Sequence, residues 1–79
     1  MANQIVECIP NFSEARRSDI VEAIIHEIEA VKDVSILDRH SDMDHNRTVV
    51  TFVGSVRAVE EAAFKAIAKA GELIDLDNH

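Results

Sequence analysis

The chain has 79 residues, with 8 basic side chains against 15 acidic ones and a formal charge of −7. That balance excludes a non-specific nucleic-acid binder, which needs a basic stripe, and a protein that docks on an anionic membrane surface. Hydrophobic residues at 47% and charged residues at 29% describe one small globular domain rather than a disordered segment.

No apolar run reaches the ~18 residues of a membrane-spanning helix. Met1-Ala2-Asn3-Gln4 lacks the basic flank and apolar stretch of a signal peptide. The lone cysteine, Cys8, cannot close an intrachain disulfide. The expectation is a reduced, cytoplasmic domain that neither enters a membrane nor binds nucleic acid.

Taken in chain order, Gln4 to Ile9 is a short apolar run stopped by Pro10-Asn11, and it predicts a buried strand. Pro10 to Ser18 is polar and irregular, with Asn11 and Ser13 able to bond nearby backbone. A helix capped by Ser13 or Ser18 follows. Ile20, Ile24 and Ile28 recur every four residues, and Val21, Ile25 and Val31 widen that apolar face.

Val34 to Leu37 predicts a second short strand. The segment from Asp38 to Arg47 holds a single apolar residue, Met43, and reads as a long polar loop. A plain hairpin needs only about two to five residues, so a loop of that length points to function. Thr48 to Val53 is β-branched and aromatic and predicts a third strand ending at Gly54. Ser55 caps a second, alanine-rich helix whose apolar period runs through Val59, Ala63, Ala66 or Ile67, Ala70 and Leu73, with Ile74 extending it. Gly71 is either interior to this helix or an early terminator.

The order β-α-β-β-α is the opening of a ferredoxin-like βαββαβ unit, an α/β (α+β) half-sandwich lacking the final strand. The right-handed crossover returns the second strand parallel to the first and puts both helices on one sheet face. The first strand is then left at an open edge, which recruits another chain or aggregates.

Chemistry has few places to reside. His40, Asp42, Asp44 and His45 carry metal-ligating atoms, but no spacing motif fixes a geometry, and a solvated hairpin is the simpler reading. The expectation is no metal site. Cys8, inside an apolar strand, reads as structural, and His26 as a solvent-exposed residue on the polar side of the first helix. Arg47 offers a permanently charged fork suited to a carboxylate, unless Asp38 or Asp42 pairs with it. Asn11-Phe12-Ser13 follows a strand end at the sheet edge where open α/β sheets bind ligands.

Three blocks are familiar. V-E-C-I-P-N-F-S-E (Val6 to Glu14), D-H-N-R-T-V-V-T-F-V-G (Asp44 to Gly54) and E-L-I-D (Glu72 to Asp75) resemble the glutamate formiminotransferase family, in order and in register across essentially the whole chain. The resemblance implies a fold of two ferredoxin-like subdomains flanking a folate crevice, with residues 1–79 as the first subdomain. It implies formimino transfer from N-formimino-L-glutamate to tetrahydrofolate, a co-substrate, late in histidine breakdown.

On that resemblance Asn11, Ser13, His40, Asn46 and Arg47 line the crevice, and Arg47 meets a carboxylate of the folate or of formiminoglutamate. Ala15 stands where many relatives have glycine. His40 stands where some carry an acid, the basis for reading a proton-handling role there. The histidine that serves as catalytic base in the family lies just beyond the helix-end block, so His79 is not that residue and no catalytic residue is assigned here. The resemblance therefore implies that the chain alone is inactive, and the open first-strand edge predicts completion by a homo-oligomer, a dimer in the simplest case, or by a complementary C-terminal polypeptide. The alternative is a non-catalytic ferredoxin-like module that assembles through its open edge.

Overall fold

The structure, a computed structural model, describes residues 4–74. Six elements follow one another: β1 (Ile5–Cys8), β2 (Asn11–Phe12), α1 (Ser18–Glu29), β3 (Val34–Asp42), β4 (Arg47–Ser55) and α2 (Val56–Leu73). Every strand pairs with β4 and runs antiparallel to it. β1 and β2 share one register along one side of β4, and β3 takes the other side. β1 and β3 are thus parallel with β4 inserted between them, which is the split crossover of an open ferredoxin-like half-sandwich.

β4 is the spine because it alternates cleanly. Thr48, Val50, Phe52 and Gly54 are buried beneath the helices, while Val49, Thr51, Val53 and Ser55 lie half-exposed on the opposite, helix-free face. The core joins Val50 and Phe52 to Ile20, Val21, Ile24, Ile25, Ile28 and Val31, the apolar face expected of α1. Gly54 is required at its position, since a Cβ there would collide with the carbonyl oxygen of Asp33, a residue in the left-handed region at φ 70°.

Four expectations are corrected. The run at Ile5–Cys8 is not a buried strand: Ile5 is 69% exposed, because it lies opposite Ser55 on the helix-free face and no described strand lies outside β1, while Cys8 alone packs against the core. Pro10 interrupts this strand without ending it. Its carbonyl still accepts from Val50 N at 3.2 Å, and only its missing N–H breaks the ladder before β2 resumes at Asn11.

The polar segment after Leu37 is mostly strand rather than loop. β3 runs on to Asp42, with a bulge at Leu37, and only Met43 to Asn46 turn. Alternation is illegible there because Asp38–Ser41 extend along an exposed edge with little core to face. The N-cap of α1 is Arg17, not Ser13 or Ser18. Its carbonyl accepts from Ile20 N and Val21 N, and no side chain caps the helix.

For α2 the expected cap stands, with Ala58 N donating to Ser55 Oγ at 3.2 Å. Its buried stripe is Ala58, Val59, Ala62 and Ala66, small residues that let the helix lie close to the sheet. Ile67 instead points outward at 65% exposure, and Phe64 at 73%. Gly71 is interior to the helix.

Candidate functional site

The residues singled out from the sequence fall at the turn end of the sheet, and they divide by role. Asn11 and His40 both sit opposite Val49, so they form one row across the helix-free face. Arg47 sits opposite Asp42 on the same face, and Ser13 follows β2 directly in a bend. Asn11, Ser13, His40 and Arg47 are all exposed. Asn11 and Ser13 also border an open groove of about 310 Å³ between the β2 edge and the last turns of α2, at Ile67, Ala70, Gly71 and Ile74.

Arg47 makes no ion pair among the described residues. Of the two acids that sequence reasoning offered it, Asp42 is engaged elsewhere, with His45 Nδ1 at 2.6 Å from Asp42 Oδ2. Asp42 Oδ1 also accepts from the backbone of Asp44 and His45. These hydrogen bonds, the His45 side chain first, hold the Asp42 carboxyl below the ordinary carboxylate range. Among the described residues no three His, Cys, Asp or Glu side chains gather in a metal-binding arrangement.

Asn46 stands apart from the other four. It is half-buried with φ 50°, the left-handed conformation that asparagine tolerates. Its Oδ1 accepts from Ala15 N at 2.8 Å and from Arg16 N at 3.0 Å. Its acceptor oxygen is therefore turned into the protein rather than toward solvent. The left-handed residue of this junction is Asn46 and not Ala15, which is buried with an ordinary negative φ.

Three residues of the junction were not picked out by sequence reasoning. Thr48 Oγ1 donates to Glu14 O at 2.5 Å and lies 2.9 Å from Ser41 Oγ. The Glu14 carboxylate, only 2% exposed, accepts from Arg17 N and Arg17 Nε, each at 3.3 Å. Arg16 reaches back to the hairpin, Nε to Met43 O at 3.0 Å and Nη2 to Asp44 O at 3.3 Å. No local signal announces contacts between segments some thirty residues apart. The one available hint is Asn46 itself, an asparagine at the end of a turn.

The family model for the formiminotransferase domain, N-terminal subdomain, matches residues 5–79. The chain belongs to that family. It is 48% identical over 75 residues to a glutamate formimidoyltransferase of Thermoplasma acidophilum, covering 95% of this chain and 25% of the relative. A glutamate formimidoyltransferase of Streptococcus pyogenes is 41% identical over 76 residues, 96% of this chain and 25% of that protein. The formimidoyltransferase-cyclodeaminase of Gallus gallus is 42% identical over 76 residues, with 96% and 14% covered. The chain thus spans about a quarter of the length of the glutamate formimidoyltransferases it matches. Within this formiminotransferase subdomain, Asn11, His40 and Arg47 share the helix-free face toward the turn end, Ser13 borders the groove beside α2, and Asn46 turns inward. His79 lies outside the described residues.

Proposed function

We propose that the protein carrying this chain transfers a formimino group from N-formimino-L-glutamate to tetrahydrofolate, in the cytoplasm and in the course of histidine degradation. This chain supplies one wall of the crevice, with Asn11, Ser13, His40 and Arg47 facing the ligands. The attacking folate amine forms a bond to the formimino carbon as the bond to the glutamate nitrogen breaks. The proton lost by the first nitrogen returns to the second. None of these four residues is proposed as the base that moves it, and the activity is proposed for the complete enzyme rather than for this chain alone.

The observation that carries this reading is Arg47, an exposed guanidinium without an ion pair among the described residues, in a chain of charge −7. Both substrates are anionic, and an arginine fork holds a carboxylate by two parallel charge-assisted bonds. Arg47→Ala in the complete enzyme is expected to raise the KM of an anionic substrate about 10- to 100-fold. Its melting temperature should stay near the wild-type value. An unchanged KM overturns the assignment of Arg47 to the crevice.

Completion of the sheet belongs to the same proposal. Pro10 turns its ring nitrogen toward Val50, so the alternate groups of Ile5, Glu7, Ile9 and Asn11 face outward and stay free to pair. A strand from the remainder of the formiminotransferase polypeptide occupies that edge and covers Phe64 and Ile67 of α2. The second reading, a non-catalytic module, rests on the same free edge and has this chain pair with itself as a dimer. Sedimentation distinguishes them, since self-pairing gives a dimer of this chain and no second polypeptide.

A further inference from the structure

We propose that Asn46 is a positioning residue, a clamp that holds the Ser13–Arg17 loop on the β3–β4 hairpin and so keeps Ser13 and Arg47 at a fixed separation. This rests on the reading of Arg47 as a ligand-facing group. It reassigns Asn46, which the family resemblance set among the ligand-binding residues.

The need for a clamp follows from the backbone. β2 ends at Phe12 and α1 begins at Ser18, so the intervening amides have no ladder to join. Ala15 is buried, and its N–H needs an acceptor that water cannot supply. Asn46 Oδ1 provides one acceptor for two successive amides, at 2.8 and 3.0 Å, using both of its lone pairs. The φ of 50° aims the side chain across the gap, and a β-branched or larger apolar residue would be strained there.

The junction is reciprocal. Arg16, one of the two residues whose amides Asn46 holds, returns two hydrogen bonds to the carbonyls of Met43 and Asp44 in the turn that Asn46 closes. On the far side of Arg47, Thr48 donates to the carbonyl of Glu14. Arg47 is therefore flanked in sequence by two residues that both bind the loop beginning at Ser13. A side chain so flanked has its backbone fixed from both sides while its guanidinium stays free. Misplacement of a binding group by about 1 Å costs up to ~100-fold in function, which is the range such a clamp protects.

The test uses the complete protein with three variants: Asn46→Gly, which keeps the backbone conformation and deletes the acceptor, Asn46→Asp, which keeps both, and Arg16→Met, an exposed change that removes the return bonds. Hydrogen exchange is followed on the segment 13–17, with steady-state kinetics alongside. Asn46→Gly is expected to speed exchange there at least about tenfold and to raise the KM of the anionic substrate about tenfold, leaving kcat within about twofold. Asn46→Asp should leave exchange within about threefold of wild type, and Arg16→Met should show a smaller version of the glycine effect.

A merely stabilising role would lower the melting temperature without moving KM. Unchanged exchange in Asn46→Gly overturns the clamp. Should that variant not fold, unchanged exchange in Arg16→Met overturns it instead. Arg47→Ala, run in parallel, separates the two claims. A raised KM in Arg47→Ala with an unchanged KM in Asn46→Gly overturns the clamp alone. An unchanged KM in Arg47→Ala with a raised KM in Asn46→Gly supports the clamp and overturns the assignment of Arg47.

Discussion

The turn end of the sheet and its β1–β2 edge are built on opposite principles. At the turn end, polar groups are paired with one another: Asn46 with Ala15 and Arg16, Thr48 with Glu14 and Ser41, Glu14 with Arg17. Among the described residues no buried side-chain nitrogen or oxygen is left without a partner. Along the edge, Ile5, Ile9 and backbone groups stand open beside Ile67 of α2, and Phe64 is exposed on the same helix. The first region satisfies its own polar groups, and the second leaves its groups open among the described residues. A binding surface can be preorganised only on the first kind of structure, while the second supplies the free energy of assembly.

Removing the apolar stripe of α2 is the largest expected effect. Phe64→Ser with Ile67→Ser should cost the folded chain less than about 0.5 kcal/mol, since both side chains already lie in water. Association through the edge should weaken about 10- to 100-fold, because the apolar area that assembly would bury is gone. Sedimentation at graded concentration reads this directly. Equal association of wild type and variant would break the contrast at its open side.

The turn end should respond in the opposite way. Thr48→Val keeps the shape and deletes the hydroxyl that joins Glu14 O and Ser41 Oγ, leaving a buried carbonyl without its donor. A loss of about 1–3 kcal/mol in a urea titration is expected, with no change in association. A variant as stable as wild type would mean that the junction is only a surface decoration.

The same contrast explains what the sequence made legible. α1 could be read because burial imposes a period on it, with isoleucines at every fourth position, and β4 because Thr48 to Val53 is β-branched and aromatic. The polar half of β3 could not, because an exposed edge strand has no period to impose and Asp38 to Asp42 read like a loop. Ser55 was legible as a local cap, whereas the start of α1 was not, since Arg17 begins it with no side-chain acceptor. Of the proposed site positions, Asn11, Ser13, Asn46 and Arg47 lie in two of the motif blocks, and His40 lies outside them. The inward turn of Asn46 was not legible, because Asn46 and Ala15 are thirty-one residues apart and meet only in the fold.

The smallest expected effect is electrostatic. Arg39 Nη1 donates to Glu22 Oε1 at 3.2 Å, tying β3 to α1, and Arg39 Nη2 bonds Oε2 of the same carboxylate. Those bonds hold the Glu22 carboxyl below its ordinary value, as the His45 side chain does for Asp42 at the turn. A carboxyl with a depressed folded pKa contributes stability that is fully present above its unfolded value. That contribution is lost as pH falls through the folded value. The unfolded values lie near about 4, so the window opens below roughly pH 4.5. Both pairs are exposed, so each contributes little and molar salt should screen it. Melts between pH 7 and pH 3 should therefore show a shallow loss confined to the acid side. In Glu22→Gln that loss should be smaller and less sensitive to salt. A variant whose acid limb matches wild type would show that the ion pair from strand to helix contributes nothing, and that the apolar face of α1 alone holds the helix on the sheet.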